Sequence, residues 1–474
     1  MTDDIAFSSI VGLGRLLRQK KTSATELATY FLDRLERIGS RYNAVVTVTR
    51  DRALAEAAHA DRESRQGTWR GPLHGIPYGV KDLLATKGYP TSWGAAPYQQ
   101  QKFEEDATVV QRLGAAGGVL VAKLAMVELA GGMGYNQPNA SFTGPGKTPW
   151  NPGYWSGGSS SGPGAAVAAG LVPFAIGSET SGSILTPAAY CGVTGLRPTY
   201  GLVSRHGAMA LAWTMDKLGP MGRTAEDCAI VLEVIAGKDP KDPSSVARGF
   251  RPHPLTPSPF GSGGTRWRLG IPKGADKDIQ PEVAANFRQA LKVLEDRVEL
   301  VEDVELPDLP YGAVAGMIIA AEGASAFDDL LKDGRLSQLT APEDRTGGYP
   351  ALAVSAPDYL RALRVRRPMQ RALDDFLKKF DALAVPTRTT VASPLDKAFR
   401  DGWPGITGGA NVIGPTNVVG VPGVSVPNGF GVQNLPTGLS FTARAFDEAK
   451  LVTLARLYQS RSDWHTRRPP IPSP

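Results

Sequence analysis

The chain has 474 residues, 42% of them apolar and 21% charged, with 52 Lys and Arg against 46 Asp and Glu for a formal net charge of +6. Those fractions suit a sizeable core and exclude wholesale disorder. The positive excess is dispersed, densest at Arg361–Arg367 and Arg467–Arg468, which reads as solvated surface with no nucleic-acid partner.

The opening Met1-Thr2-Asp3-Asp4 is acidic where a secretory signal is basic, and the most apolar stretch, Gly164–Gly177, is too short to span a bilayer and carries Pro173. A soluble, cytoplasmic protein with no membrane partner is therefore expected. Ser23 and Glu26 form a capping box ahead of Leu27, Phe31, Leu35 and Ile38 at helical spacing. Gly75–Asp82 reads as a short strand ending in Lys81-Asp82, Asp106–Ala116 as an amphipathic helix, and Gly118–Ala122 as a buried strand. This alternation points to a layered α/β fold. Residues 131–222 are rich in Gly, Ser and Thr yet carry the apolar runs Ala165–Phe174 and Ile184–Tyr190, so they predict ordered backbone in close approach rather than a linker. Cys191 and Cys228 are too few for a disulfide scaffold and read as reduced, packed thiols. Asp239–Gly264 lacks periodicity and predicts a surface excursion. Arg268–Ile271, the helix around Phe287–Leu294 and Val298–Val304 then resume the sheet as a βαβ unit. Residues 305–405 read as helical, and Thr416–Ser440 as strand-like.

Several chemistries fail on inspection. Gly146-Lys147-Thr148 resembles the end of a phosphate loop, but Ser141 occupies the position of its first glycine. His59, His74, His206, His253 and His465 are scattered without metal-ligand spacing, so no metal and no cofactor is expected. Gly158–Gly162 fits the bare G-x-S-x-G pattern without the preceding apolar strand, and His206, the best-placed candidate partner for a Ser-His-Asp triad, reads more readily as a loop histidine. What remains is Trp155–Gly162 followed by Gly177–Ile184. Such small-residue loops can turn several backbone N–H groups inward, where an attacking serine and an oxyanion hole coexist; a tight turn chosen for sterics fits them equally well.

Gly157-Gly-Ser-Ser-Ser-Gly162, Gly177-Ser-Glu-Thr-Ser-Gly-Ser-Ile184 and Cys191-Gly-Val-Thr-Gly-Leu-Arg-Pro-Thr199 strongly resemble the amidase signature family of Ser-Ser-Lys hydrolases. Gly75–Asp82 resembles its lysine strand, and Gly420–Pro427 with Leu435–Gly438 its C-terminal strand pair. The resemblance implies Ser183 as nucleophile, Ser159 on a cis peptide as bridging serine, Lys81 as base, and the backbone of Thr180, Ser181, Gly182 and Ser183 as oxyanion hole. Met133, Gly134, Tyr135 and Trp155 are expected at the acyl pocket. Glu179, Ser181 and Leu185 replace the family's commoner Asp, Gly and Arg.

The implied fold is one α/β domain over 1–474, with a mixed, mostly parallel central sheet flanked by helices on both faces. Its parts are a helical lead-in at 1–65, a core with the triad at 66–235, a surface loop at 236–265, renewed sheet at 266–305, a variable pocket region at 306–410, and closing strands and helix at 411–474. The implied activity is hydrolysis of linear carboxamides, including aryl amides or carbamate esters. Its partner would be that small molecule alone, and the protein a monomer or homodimer. The alternative is the amidase-like A subunit of a glutamine-dependent tRNA amidotransferase, although Ser440 stands where such subunits often have Gln. Burial among Ile76, Val80 and Leu83 is expected to lower the Lys81 pKa and free its amine as base. A catalytically dead binding module is the third reading, set against an intact triad.

Overall fold

Ser23 caps the helix Ala24–Ile38 as its sequence predicts: its Oγ accepts from the Glu26 N–H, and the Glu26 carboxylate accepts from the Ser23 N–H. The computed structural model describes residues 3–253, 266–409 and 412–470. Eleven strands form one sheet: β1 Val45–Val48, β2 Pro77–Lys81, β3 Val119–Leu124, β4 Phe174–Glu179, β5 Thr194–Arg197, β6 Lys217–Gly222, β7 Trp267–Pro272, β8 Val298–Val304, β9 Ala382–Pro386, β10 Gly423–Phe430 and β11 Pro436–Thr442. Their order is β1-β3-β2-β4-β6-β5-β10-β11-β9-β7-β8.

Both faces of this sheet are covered. Phe174 and Ile176 of β4 pack into one apolar cluster while Ala175 between them packs into another, and Leu120 and Val121 of β3 divide the same way. Successive strand side chains point to opposite faces, so two clusters mean two buried faces. The sheet is mixed, as expected, but the balance differs from mostly parallel. Six of its pairings are antiparallel, and four, in the β3–β2–β4 and β8–β7–β9 patches, are parallel. Antiparallel pairs join both consecutive strands, as in β5–β6 and β10–β11, and chain-distant ones, as in β5–β10, and the pairing direction of the distant ones is not encoded in local patterning.

The βαβ unit runs from β7 through the helix Pro281–Leu294 to β8. Two local expectations are corrected. The helical stretch 305–405 contains β9, a five-residue buried strand following the long helix Ala356–Leu377. The strand-like stretch beginning at Thr416 opens instead as the helix Ile413–Val419, and Gly420 at φ 84° ends it. The surface excursion foreseen at 236–265 is described up to 253, and its later part lies outside the described residues. Its first part is anchored: buried Asp239 accepts from Thr108 Oγ1 at 2.6 Å and Ser204 Oγ at 2.5 Å, and Asp242 accepts from the Arg205 N–H at 2.8 Å. Among the described residues, no helix is long and apolar enough to cross a membrane.

Candidate active site

The parallel strands β2 and β4 lie side by side, so Lys81 at the end of β2 comes beside Ser178 near the end of β4. Lys81 is fully buried and its Nζ donates to Ser159 Oγ at 2.6 Å and to Ser178 Oγ at 2.9 Å. Burial drops its pKa to about 7, against the opposing pull of the Asp216 and Glu179 carboxylates. Removing an ammonium from water costs free energy that losing the proton avoids. The surface ion pair that Lys81-Asp82 suggests is not formed; Asp82 instead pairs with buried Lys123 at 3.0 Å and accepts from the Ser92 N–H at 2.9 Å.

Ser159 is buried in the loop leading into the helix Ser161–Ala168, and its peptide bond to Gly158 is cis. Four hydrogen bonds fix that loop against its neighbours. Ser160 Oγ donates to the Ser178 carbonyl at 3.1 Å and accepts from the Ser178 N–H at 3.2 Å. The Val127 N–H donates to the Ser159 carbonyl at 3.1 Å. The Ser160 N–H donates to the Ser183 carbonyl at 3.2 Å, which ties the Ser159 loop to the turn carrying Ser183.

That turn, 180–184, joins β4 to the helix Leu185–Cys191 and passes through Gly182 at φ 88°, a conformation that favours glycine. Glu179 holds it from below. Its Oε2 accepts from the Ile184 N–H at 2.8 Å and the Leu185 N–H at 3.0 Å, and its Oε1 from Arg197 at 2.9 Å and Asn417 at 2.7 Å. Burial alone would raise this carboxyl; Arg197, Lys217 and the hydrogen bonds hold it down at about 2. Thr180 Oγ1 donates to Asp216 Oδ1 at 2.5 Å, closing the other side. Ser181, Gly182 and Ser183 give their N–H groups to no protein acceptor among the described residues, while Ser183 itself is 7% exposed.

A cleft of about 390 Å³ opens on this turn, lined by Gly158, Ser181 and Thr186 and walled by Tyr135, Trp155, Tyr190, Phe399 and Trp403. Of the residues expected at the acyl pocket, Tyr135 and Trp155 line this cleft, their rings 6.0 Å apart. Met133 is buried against Leu331 and Gly348, and Gly134 lies against Asp344. Sequence reasoning missed Ser178, whose signal was only its place in the Gly177–Ile184 run, and Arg388, Phe399 and Trp403, which lie where patterning was weakest. Among the described residues, no group of three or more His, Cys, Asp and Glu side chains is arranged to hold a metal. His206 Nε2 lies 3.0 Å from Glu105.

A family model described as Amidase matches residues 26–452. The chain belongs to the amidase family. Two curated relatives of this amidase carry the name of the A subunit of glutamyl-tRNA(Gln) amidotransferase. The one from Moorella thermoacetica is 37% identical over 97% of both chains, and the one from Chromohalobacter salexigens 39% identical over 96% of both. Among solved structures, the native peptide amidase of Stenotrophomonas maltophilia superposes with a TM-score of 0.84 at 31% identity, covering 98% of each chain. Family membership brings the coarse chemistry, an enzyme acting on amide C–N bonds.

These relatives overturn one expectation, that a small-molecule amide or carbamate is the sole partner of a monomer or homodimer with no nucleic acid involved. Full-length relatives are named as one subunit of an enzyme whose substrate is a tRNA. The dispersed charge of +6 could not exclude this, because net charge bears on solubility and non-specific binding and does not identify a particular partner.

Proposed function

We propose that this protein cleaves the C–N bond of a linear carboxamide through a Ser183 acyl-enzyme, and that it does so as the ammonia-releasing A subunit of a glutamine-dependent amidotransferase. The observation that carries the chemistry is the buried Lys81 amine donating to Ser159 Oγ at 2.6 Å beside the Ser183 turn. Serine is a poor nucleophile unless a base lies within reach. Neutral Lys81 takes the Ser159 proton as Ser159 takes that of Ser183, and Ser183 Oγ bonds to the carbonyl carbon. The N–H groups of the 180–183 turn, Thr180 through Ser183, receive the oxyanion. As the C–N bond breaks, the proton returns through Ser159 to the leaving nitrogen. Water then attacks the acyl-enzyme by the same relay, releasing the acid and restoring Ser183.

The subunit reading draws its support from the names and full-length coverage of the curated relatives. A second reading, a hydrolase of larger amides such as aryl amides or carbamate esters, is favoured by Ser440, by the aromatic walls of the cleft and by the likeness to a peptide amidase.

The test is amine or ammonia release from glutamine, an aliphatic amide, an aryl acetamide and an aryl carbamate, with wild type beside Ser183→Ala. Loss of a Ser-Lys nucleophile is expected to lower kcat by at least about 10³-fold. Glutamine turnover supports the subunit reading and aryl-amide turnover the second; unchanged rates in Ser183→Ala would remove both.

A further inference from the structure

Two carboxyls face each other beside Tyr135, and the chemistry above uses neither. Glu128 and Asp344 are both fully buried and lie within hydrogen-bond reach of each other. Both Glu128 oxygens accept from a distant segment, Oε2 from the Thr340 N–H at 2.8 Å and Oε1 from the Ala341 N–H at 2.9 Å. Asp344 Oδ1 accepts from the Tyr135 N–H at 3.3 Å, while its Oδ2 is buried without a donor. Among the described residues, neither carboxyl forms an ion pair. The other charges around Asp344 do not neutralise it: Glu343 adds a like charge, and the adjacent Arg345 directs its Nε to the Leu339 carbonyl at 2.9 Å.

Two adjacent buried carboxylates without a cation repel each other and lack solvation, and one shared proton relieves both costs. The donor pattern says where that proton sits. Glu128 already accepts from two N–H groups and suits the anion, whereas Asp344 has one oxygen accepting and the other free to carry the hydrogen. Burial, and then the Glu128 charge, accordingly raise the Asp344 carboxyl well above the ordinary carboxylate range. The shared proton closes a clamp between 128–135 and 340–344. The first of these segments is left-handed at Leu129, Ala130 and Tyr135, with φ of 50°, 56° and 65°, conformations that persist only where surrounding contacts hold them. Tyr135 ends the clamped segment, and its ring stands in the cleft wall 6.0 Å from that of Trp155 and 5.6 Å from that of Phe399.

We propose that Asp344 is a positioning residue of this cleft: a neutral carboxylic acid that donates from Oδ2 to the Glu128 carboxylate and, through the Tyr135 N–H, fixes that ring in the wall a substrate meets. The effect on substrate rests on this cleft being the one Ser183 serves; the clamp itself does not. Asp344→Asn keeps an acceptor for Tyr135 and a neutral donor for Glu128, whereas Asp344→Ala keeps neither. In difference infrared spectra at about pH 6, above the usual carboxylate range, wild type is expected to show the carbonyl stretch of a neutral carboxylic acid that Asp344→Asn lacks. Amide exchange across 128–137, read by mass spectrometry, is expected to match wild type in Asp344→Asn and to run at least about 10-fold faster in Asp344→Ala. The KM for the amide that wild type cleaves is expected to hold in Asp344→Asn and to rise about 3-fold to 10-fold in Asp344→Ala, with kcat changing less. Where Asp344→Ala fails to fold, urea midpoints of Asp344→Asn carry the test. They should gain on wild type as pH rises above the unfolded value of roughly 3.9, because folded wild type then holds a proton that its unfolded chain has lost. A missing acid carbonyl stretch, exchange equally fast or equally slow in the two variants, an unmoved KM in Asp344→Ala, or a midpoint difference constant with pH would overturn the proposal. Wild-type turnover in Ser183→Ala, with the infrared and exchange results as expected, would instead remove the nucleophile and leave the clamp standing.

Discussion

A lysine amine with no carboxylate in hydrogen-bond contact, buried against two serine hydroxyls, is where the chemistry of this site begins. With its pKa at about 7, Lys81 is largely charged one unit below that pH and largely neutral one unit above it. Only the neutral amine accepts a proton, so kcat/KM is expected to rise with pH along a limb centred near 7; a profile flat across that range would exclude Lys81 as the base. Lys81→Met should remove the limb and lower kcat by about 10²-fold to 10⁴-fold. The same shift has a stability consequence. An unfolded lysine titrates at roughly 10.4, so between the two values the unfolded chain holds a proton the folded chain has lost. Stability therefore gains from this group as pH rises through that window. Lys81→Met should be most stabilised over wild type below the folded pKa, with the advantage fading towards the unfolded one, as urea midpoints across pH would show.

Strands and turns set that lysine in place, and they were unequally legible. The capping box at Ser23 and Glu26, the β7–helix–β8 unit and the strand ending in Lys81 follow from local spacing, because hydrophobic period and caps are local properties. The order of strands, the hidden β9 and the contact of Glu179 with Asn417 are not local; they join segments that no pattern in either segment connects. Arg197 belongs to that second group. It lies fully buried, pairs with Glu179 at 2.9 Å and donates to the Val421 carbonyl at 2.9 Å, linking the nucleophile turn to the approach to β10. Arg197→Met removes the guanidinium paired with the buried Glu179 carboxylate, which should cost about 3–5 kcal/mol in urea unfolding near neutral pH. Glu179 is held at about 2 in the fold, so its contribution is complete above the unfolded value of roughly 4.3 and is lost as pH falls towards 2. The deficit of Arg197→Met should accordingly shrink across that acid window; a deficit independent of pH there would mean the arginine acts by packing alone.

At the scale of the whole molecule, the proposed triad rests on resemblance, while the cleft was not legible at all, since its walls come from Tyr135 and Trp155 on one side and Arg388, Phe399 and Trp403 on the other. Those distant segments meet only once the sheet places β9 beside β11. A partner of the kind the relatives' names imply would be illegible for a related reason: a surface that docks another chain carries no required motif, and a net charge of +6 over 474 residues points to none. If the protein works within an amidotransferase, the ammonia released as the Ser183 acyl-enzyme forms must be kept from bulk water until it reaches an acceptor, and a lone chain has no reason to run at full speed. Expressed together with its genomic neighbours, it is expected to co-purify with a second chain and to release ammonia from glutamine faster in the complex than alone. Size-exclusion chromatography with light scattering, followed by ammonia assay of each peak, decides this. A lone, monodisperse chain that cleaves amides at a rate no neighbouring product raises would end the subunit reading and leave the amide hydrolase.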